Sequence, residues 1–178
     1  AKEKITDIAL SPDGTRIAGT GSNGILYSWD VTNNFSAKEV FKNPSGAELT
    51  TLAYAPDKTR RIIVGDNAGL IRIVTEDTNL PPRILSGHTA HIEQIHFNHA
   101  GKFVATTSRD RTVRLWNWEK LNEQPIVLSD HADWVWSATF SPNDEQLLVG
   151  INSSSSNAAK ANETIHAWPT EIESMSGL

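Results

Sequence analysis

The 178-residue sequence contains no cysteine. Disulfide frameworks and thiolate metal sites are therefore excluded, and this composition is typical of cytoplasmic proteins, so we expect a cytoplasmic location. No apolar run in the sequence approaches the roughly 18 residues that a membrane-spanning helix needs. We therefore expect no membrane partner.

The sequence also lacks an excess of positive charge, because 16 lysines and arginines are outnumbered by 21 aspartates and glutamates. The resulting net charge of -5 provides no electrostatic reason for binding nucleic acid or an anionic membrane surface. Nucleic acid is therefore not an expected partner.

What the sequence does contain is one block that recurs four times at a spacing of about forty-three residues. The four copies align on a turn position, which is occupied by Pro12, Pro56, His99 and Pro142. They align again on an apolar position of the last core strand, which is occupied by Trp29, Ile73, Trp116 and Trp168. A fixed period of this length predicts one supersecondary unit repeated along the chain, each copy burying its apolar face against the next.

Each period has the composition of short strands joined by tight turns. In the third copy, residues 92–96, 103–107 and 112–116 are rich in β-branched, aromatic and aliphatic side chains, and Gly, Asn and Asp occur between them. A fourth, weaker run closes the unit at 126–128. No window shows the 3.6-residue period of an amphipathic helix. Four strands in each copy are typical of a propeller blade, so the sequence predicts an all-β fold.

Several motifs resemble the signature of the WD-repeat β-propeller family, namely Ser11-Pro12-Asp13-Gly14, Trp29-Asp30, Gly87-His88 and the run 109–117. The resemblance covers residues 4–170 and implies four four-stranded antiparallel blades at approximately 4–42, 49–85, 92–128 and 135–175, in a single segment over 1–178. Because rings of this family generally have about seven blades, four blades imply part of a larger ring. The sequence opens directly on an innermost strand at Lys4, so we expect the C-terminal four-blade portion. The second copy is degenerate, since it lacks the Gly-His pair and has Ile73 where Trp is expected.

The resemblance also implies a hydrogen-bonded network inside each complete blade. In this family the Gly-His histidine, a Ser or Thr on the second strand, an Asp at the following corner and the Trp of the third strand are connected. The matching residues of blade three are His88, Thr106, Asp110 and Trp116. Blade four retains His131 and Trp168, with Asn162 at the Asp position. Blade two retains none of this network, and we expect it to be the loosest unit.

Residues that the blade scaffold does not require are the candidates for partner binding. In the family, side chains around the channel mouth come from the residue three after the Gly-His histidine, the residue two further on, and the residue before the corner Asp. The partner-binding residues that we predict on this basis are His91, Glu93, Arg109, Trp134 and Trp136. In blades one and two the same positions hold Lys4, Thr6, Ser22, Glu48, Thr50 and Asp66. Trp and Arg most often carry binding energy, although an alternative role for the two tryptophans is to cover a neighbouring blade.

An insertion lengthens the fourth copy. Trp116 and Trp168 are 52 residues apart, and the nine extra residues fall within the polar run 152–162. By family topology this loop lies on the face that carries Trp134 and Trp136. Two interpretations stay open, a mobile lid beside the aromatic pair and a tolerated insertion.

Two literal motif matches have structural explanations. Residues 19–24 fit the G-x-G-x-x-G pattern of dinucleotide sites, but a strand follows them where a helix is required, so we predict a hairpin turn and no cofactor. His88, His91, His96 and His99 are close in sequence, but two of them, five residues apart on a strand, point to opposite faces, so we predict no metal site. No Ser-His-Asp order, G-x-S-x-G turn or closely paired acids are recognisable, so we predict no catalytic residues and no enzymatic activity.

These expectations lead to two hypotheses for function. The first is a non-catalytic scaffold that recognises a protein or peptide. The second is a structural or assembly module, in which the blades pack on the parent chain or on a second copy and hold neighbouring domains in place. The segment 168–175 resembles the C-terminal end of WD-repeat regions in large bacterial signalling proteins, which is one setting for the second hypothesis.

Overall fold

The computed structural model of the chain describes residues 4–129, 131–152 and 165–170. All regular elements within these ranges are β-strands. The described ranges contain no helix that is long and apolar enough to cross a membrane.

The strands form four antiparallel sheets, which we call blades one to four. Blade one contains β1 (Ile5–Leu10), β2 (Arg16–Gly21), β3 (Ile25–Asp30) and β4 (Ser36–Lys42). Blade two contains β5 (Leu49–Tyr54), β6 (Arg61–Asp66), β7 (Ile71–Thr75) and β8 (Arg83–Leu85). Blade three contains β9 (Ile92–Phe97), β10 (Phe103–Ser108), β11 (Val113–Asn117) and β12 (Ile126–Leu128). Blade four contains β13 (Val135–Phe140), β14 (Gln146–Ile151) and β15 (Ile165–Pro169).

Consecutive strands are neighbours in every sheet, which is the meander expected for a blade. The predicted all-β fold of antiparallel blades is therefore confirmed. Blades one to three have four strands each and blade four has three among the described residues. The part of the prediction that places the end of blade four at 171–175 lies outside the described residues.

The chain divides into two compact units, 1–95 and 96–178, and the division falls within β9. In the first unit, buried residues of blades one and two form one cluster: Ala18, Leu26, Leu49, Leu52, Tyr54, Ile62, Val64 and Val74. In the second unit, a cluster joins blades three and four: Ala105, Val113, Leu115, Leu128, Val135, Ala138, Phe140, Leu147 and Val149. Each blade thus buries apolar side chains against the next one along the chain within its unit, as the repeat predicts.

The strand register corrects one alignment made from sequence. In blade three, Trp116 pairs with the second residue of β10, and in blade two the second residue of β6 pairs with Val74. Val74 therefore occupies the Trp position of blade two, and the prediction of Ile73 was wrong. The cause is the turn between β5 and β6, which spans 55–60, whereas the matching turn of blade one spans only 11–15. The longer turn ends at Arg60, whose φ of 54° is left-handed.

Candidate functional site

A β-bulge lies at the beginning of the first strand of blades one, two and four. The pairing register shifts at the second residue of β1, β5 and β13, and the residues at these shifts are Thr6, Thr50 and Trp136. A bulge changes the direction in which a side chain leaves the ladder and is common beside functional sites. All three residues are at positions where the family resemblance predicts side chains at the channel mouth.

The bulge residue has a structural role in blades one and two. Thr6 Oγ1 donates a hydrogen bond to the carbonyl oxygen of Leu49 at 2.6 Å, and Thr50 Oγ1 donates one to the carbonyl oxygen of Ile92 at 2.6 Å. Each threonine thereby ties its blade to the first strand of the next one. Trp136 has no hydroxyl group and is 47% exposed, so blade four presents an indole ring to solvent at the same position.

Arg109 and the two tryptophans predicted from sequence come together on the surface of the second unit. The Arg109 Cζ atom lies 4.8 Å from the centroid of the Trp134 ring and 5.9 Å from that of Trp136. Val135, between the two tryptophans, is fully buried, whereas Trp134 is 38% exposed. The guanidinium group is within range of a cation–π attraction to both rings. We call these three residues the Arg-Trp cluster.

The backbone that carries the Arg-Trp cluster is held by hydrogen bonds. The amide nitrogen of Asn152 donates to the carbonyl oxygen of Trp134 at 2.8 Å, and Trp134 N donates to Asp133 Oδ1 at 2.8 Å. Thr107 Oγ1 donates to the carbonyl oxygen of Trp136 at 3.4 Å. Because the chain is fixed on both sides of the buried Val135, the aromatic surface is preorganised, which lowers the entropic cost of binding.

The other two predicted partner-binding residues lie in the first unit. His91 Nε2 is 3.7 Å from Glu93 Oε2, and both side chains are mostly buried. The five predicted residues therefore form two groups, one in each unit. Their role in partner binding stays a prediction.

Parts of the predicted network are present in blade three. Trp116 Nε1 donates a buried hydrogen bond to Thr106 Oγ1 at 3.0 Å. At the corner, Asp110 Oδ1 accepts hydrogen bonds from the amide nitrogen of Thr112 at 2.9 Å and from its hydroxyl at 2.6 Å. His88 is buried, and its role in joining these parts stays a prediction.

Blade four has the histidine and the tryptophan of this network but no counterpart of the Thr106 hydroxyl group. The rings of His131 and Trp168 meet edge to face, with centroids 6.0 Å apart. The strand register places Val149 where blade three has Thr106, so Trp168 Nε1 is buried without a hydrogen bond to any described residue. The predicted contribution of Asn162 and the loop 153–162 lie outside the described residues.

Blade two contains a different buried network, which was not predicted. Asp66 Oδ2 is 2.7 Å from an Arg72 guanidinium nitrogen, and both side chains are buried. Asn43 Nδ2 donates to the same carboxylate at 3.2 Å, and the amide nitrogens of Ala68 and Leu70 donate to its Oδ1. Asp66 is therefore not at the channel mouth as expected but lies in the interior. Blade two has its own polar core, and its predicted looseness stays a prediction.

The glycine-rich segment forms the turn that the sequence predicts. Gly24, with a φ of 76°, lies in the tight turn between β2 and β3, and its amide donates to the carbonyl oxygen of Gly21 at 3.0 Å. The predicted hairpin is thus confirmed. Among the residues that the model describes, no group of three or more His, Asp and Glu side chains is arranged to hold a metal ion.

Comparison with known proteins agrees with this geometry. The family model "WD domain, G-beta repeat" matches residues 1–30, 79–117 and 122–160, which is more than half of the chain. The chain belongs to the WD40-repeat family. The matched ranges omit 31–78, which contains β5 to β7 of the degenerate second copy.

Several known proteins are similar in sequence or structure to this WD40 chain. It is 25% identical over 144 residues to protein HIR1 of Yarrowia lipolytica (72% of this chain, 14% of the relative). It is 31% identical over 113 residues to human coronin-7 (59% and 12%) and 26% identical over 134 residues to WD repeat-containing protein 55 of Arabidopsis thaliana (74% and 37%). The WD40 β-propeller domain of Doa1 superposes with a TM-score of 0.74 at 20% identity over 94% of this chain and 52% of that chain. The chain thus spans about half of that propeller and a smaller part of these relatives.

Proposed function

We propose that the chain is a non-catalytic platform that binds a protein or peptide partner through the Arg-Trp cluster. WD40 propellers are in general scaffolds for protein interaction, which supports the broad class. The observation that carries the specific proposal is the bulge of blade four. There a partly exposed tryptophan stands in contact range of Arg109, where blades one and two have a threonine that ties two blades together.

The energetics favour this surface as a binding hot spot. Binding energy usually concentrates in a few Trp, Tyr and Arg side chains, and truncating one of them costs at least about 2 kcal/mol, or roughly thirtyfold in Kd. Trp134 and Trp136 offer a large apolar area on a fixed backbone, and Arg109 adds a positive charge beside them. The His91–Glu93 pair is a separate candidate, which single His91→Ala and Glu93→Ala variants test. The cytoplasmic location predicted from the sequence stays part of this proposal.

The test replaces Trp136 with the residue that blades one and two use. Peptides are selected from a displayed random library on the wild-type chain, and the Kd of each selected peptide is then measured for Trp136→Thr and Trp134→Ala. We expect losses of roughly thirtyfold or more for the peptides that dominate the selection. Phe35→Asn is the control, because Phe35 is an exposed aromatic residue in the first unit and Asn tolerates its left-handed φ of 52°. Selected peptides that bind both tryptophan variants with unchanged Kd and unchanged protein stability would refute the proposal.

A second candidate, the assembly module, is favoured by the apolar side chains of β1. Ile8 and Leu10 are 65% and 59% exposed, whereas the matching residues of β5, Leu52 and Tyr54, are 4% and 7% exposed because they pack in the cluster shared by blades one and two. The repeat therefore predicts a covering blade over β1, from the parent chain or from a second copy. Light scattering at increasing protein concentration tests whether a second copy of the chain covers β1. We expect a dimer that the Ile8→Lys variant dissociates, and a wild-type chain that stays monomeric would contradict self-association.

A further inference from the structure

A cavity lies in the first unit, between the β1–β2 turn of blade one and the longer β5–β6 turn of blade two. Its volume is about 470 Å³, within the usual range for ligand pockets. The rings of Pro12, Tyr54 and Pro56 form apolar walls, and Lys58 and Arg60 contribute positive charge. The extra residue in the turn of blade two is what distinguishes this turn from its counterpart in blade one.

Blades three and four show how the chain closes the equivalent gap elsewhere. Asp144, in the β13–β14 turn, accepts hydrogen bonds from the amide nitrogens of His99 and Ala100 at 2.9 Å and 2.8 Å. Its carboxylate also accepts from Asn98 Nδ2 at 3.0 Å and lies 3.1 Å from His99 Nδ1. Burial alone would raise the pKa of Asp144, but the hydrogen bonds from the two amides and the interaction with the His99 side chain together lower the pKa. The group that closes this gap is thus an ionised carboxylate.

No carboxylate of the described residues closes the gap between the turns of blades one and two as Asp144 does between blades three and four. Pro12 stands at the position of His99 and has no N–H group to offer, so recognition there relies on Lys58 and Arg60. Lys58 is exposed and forms no ion pair within the described ranges. Arg60 contacts Asp13 at 3.5 Å and Asp77 at 3.4 Å, with all three side chains substantially exposed. Such exposed pairs contribute only about 0–1 kcal/mol, so the guanidinium can turn to another anion at low cost.

The two aspartates that line the cavity already have donors in their own turns. Asp13 accepts hydrogen bonds from the Ser11 hydroxyl and from both the amide and the hydroxyl of Thr15, and the Ser11 hydrogen bond is the main reason that its pKa is lowered. Asp57 accepts from the Thr59 amide at 2.9 Å and pairs with Arg61. Asp57 is therefore satisfied within its own turn, and Asp13 divides its charge between its turn and the exposed contact with Arg60. Lys58, which has no ion pair among the described residues, and the weakly held Arg60 are the cations that can attract a ligand.

We propose that this cavity binds an acidic side chain, Asp or Glu, of a partner protein. The ligand carboxylate takes the place that Asp144 occupies between blades three and four, and Lys58 and Arg60 form charge-assisted hydrogen bonds with it. Its methylene groups and neighbouring apolar residues pack on Pro12, Tyr54 and Pro56. This surface is independent of the Arg-Trp cluster, which lies in the other unit.

The probe is a library of capped pentapeptides with a central Glu and varied flanking residues, paired one for one with peptides that have a central Gln. We expect the 178-residue chain to select the Glu peptides. In a nuclear magnetic resonance titration, the best of them should shift the amide signals of Gly14, Lys58 and Arg60. Equal selection of Glu and Gln peptides, or shifts confined to other parts of the chain, would overturn the proposal.

Charge reversal at the cavity provides the second test. Lys58→Glu should weaken binding of the selected peptide by about tenfold or more, and Lys58→Met should weaken it by less. Lys120→Glu is the matched control, because Lys120 is an exposed lysine of the second unit, and it should leave the Kd unchanged. Trp136→Thr should also leave this Kd unchanged, which separates the acidic-peptide site from the platform proposed above. A Kd that Lys58→Glu does not change would refute the assignment.

Discussion

The buried ion pair of blade two leads to the sharpest prediction. In the variant Asp66→Ala, the Arg72 guanidinium would stay buried without its carboxylate partner, which lies 2.7 Å away in the wild type. Removing one partner of a buried ion pair costs about 3–5 kcal/mol, because the remaining charge is uncompensated. The same change removes the acceptor of the Ala68 and Leu70 amides and of Asn43. We therefore expect a loss near the upper end of this range.

The two single variants should differ in a defined order. Arg72→Met leaves Asp66 with three of its hydrogen bonds and puts an apolar side chain near the Phe41 ring, which lies 5.9 Å from the Arg72 Cζ atom. It should cost less than Asp66→Ala. The double variant Asp66→Ala with Arg72→Met should be more stable than Asp66→Ala alone, because no unpaired charge is buried.

Urea unfolding followed by tryptophan fluorescence measures these differences, and thermal unfolding provides a second readout. For a chain of this length, a loss of about 3–5 kcal/mol lowers the Tm by roughly 6–20 °C. Asp57→Ala is the control, since it removes the partly exposed pair with Arg61 and should cost less than about 1 kcal/mol. A loss below about 1 kcal/mol for Asp66→Ala, or a double variant less stable than Asp66→Ala, would refute the reasoning.

Three further predictions follow from single contacts. Thr106→Val removes the acceptor of the buried Trp116 Nε1–H group and should cost about 1–3 kcal/mol in urea unfolding. Gly65→Ala would place a Cβ atom 2.6 Å from Ile92 Cγ2, so overpacking should cost about 1–3 kcal/mol, measured by thermal unfolding. Because the folded pKa of Asp144 is lowered, its stabilising contribution is present above the unfolded pKa of about 4 and is lost as pH falls through the folded pKa. The stability difference between the wild type and Asp144→Asn, followed by urea unfolding at several pH values, should therefore shrink below about pH 4, and a difference independent of pH would contradict this prediction.

The period of the sequence was sufficient to predict the blades, and the family resemblance implied the positions of the candidate site. Alternation along a strand predicts that Trp134 and Trp136 share one face and that Val135 points to the other, and Val135 is fully buried in the structure. The hydrogen-bonded pair of Thr106 and Trp116 was implied by the family resemblance. These features depend on strand alternation and on motif positions, and the sequence displays both directly.

The features that were not predicted depend on contacts that particular side chains make with other turns and strands, and the equivalence of positions between copies does not predict these contacts. Asp66 meets Asn43, 23 residues away, and Asp144 caps amides 44 and 45 residues away. The error at Ile73 has a related origin, because one additional residue in the turn 55–60 shifts the strands that follow it. The spacing between copies does not show whether the additional residue belongs to the turn or to a strand. The register of the paired strands shows that it belongs to the turn.

The departures of one blade from another are the most informative features of this chain, because the scaffold is common to all four copies. The bulge residue is Thr6 in blade one, Thr50 in blade two and Trp136 in blade four. The two threonines connect neighbouring blades by hydrogen bonds, whereas Trp136 exposes its indole ring. The gap between turns is closed by a carboxylate in one pair of blades and stays open as a cavity in the other, where Asp13, Asp57, Lys58 and Arg60 are its charged lining residues. A purely structural role explains the threonines and the carboxylate, since each completes a contact within the chain. It does not explain two partly exposed tryptophans beside Arg109 or an open cavity between two turns, and we propose that a partner binds at these two places.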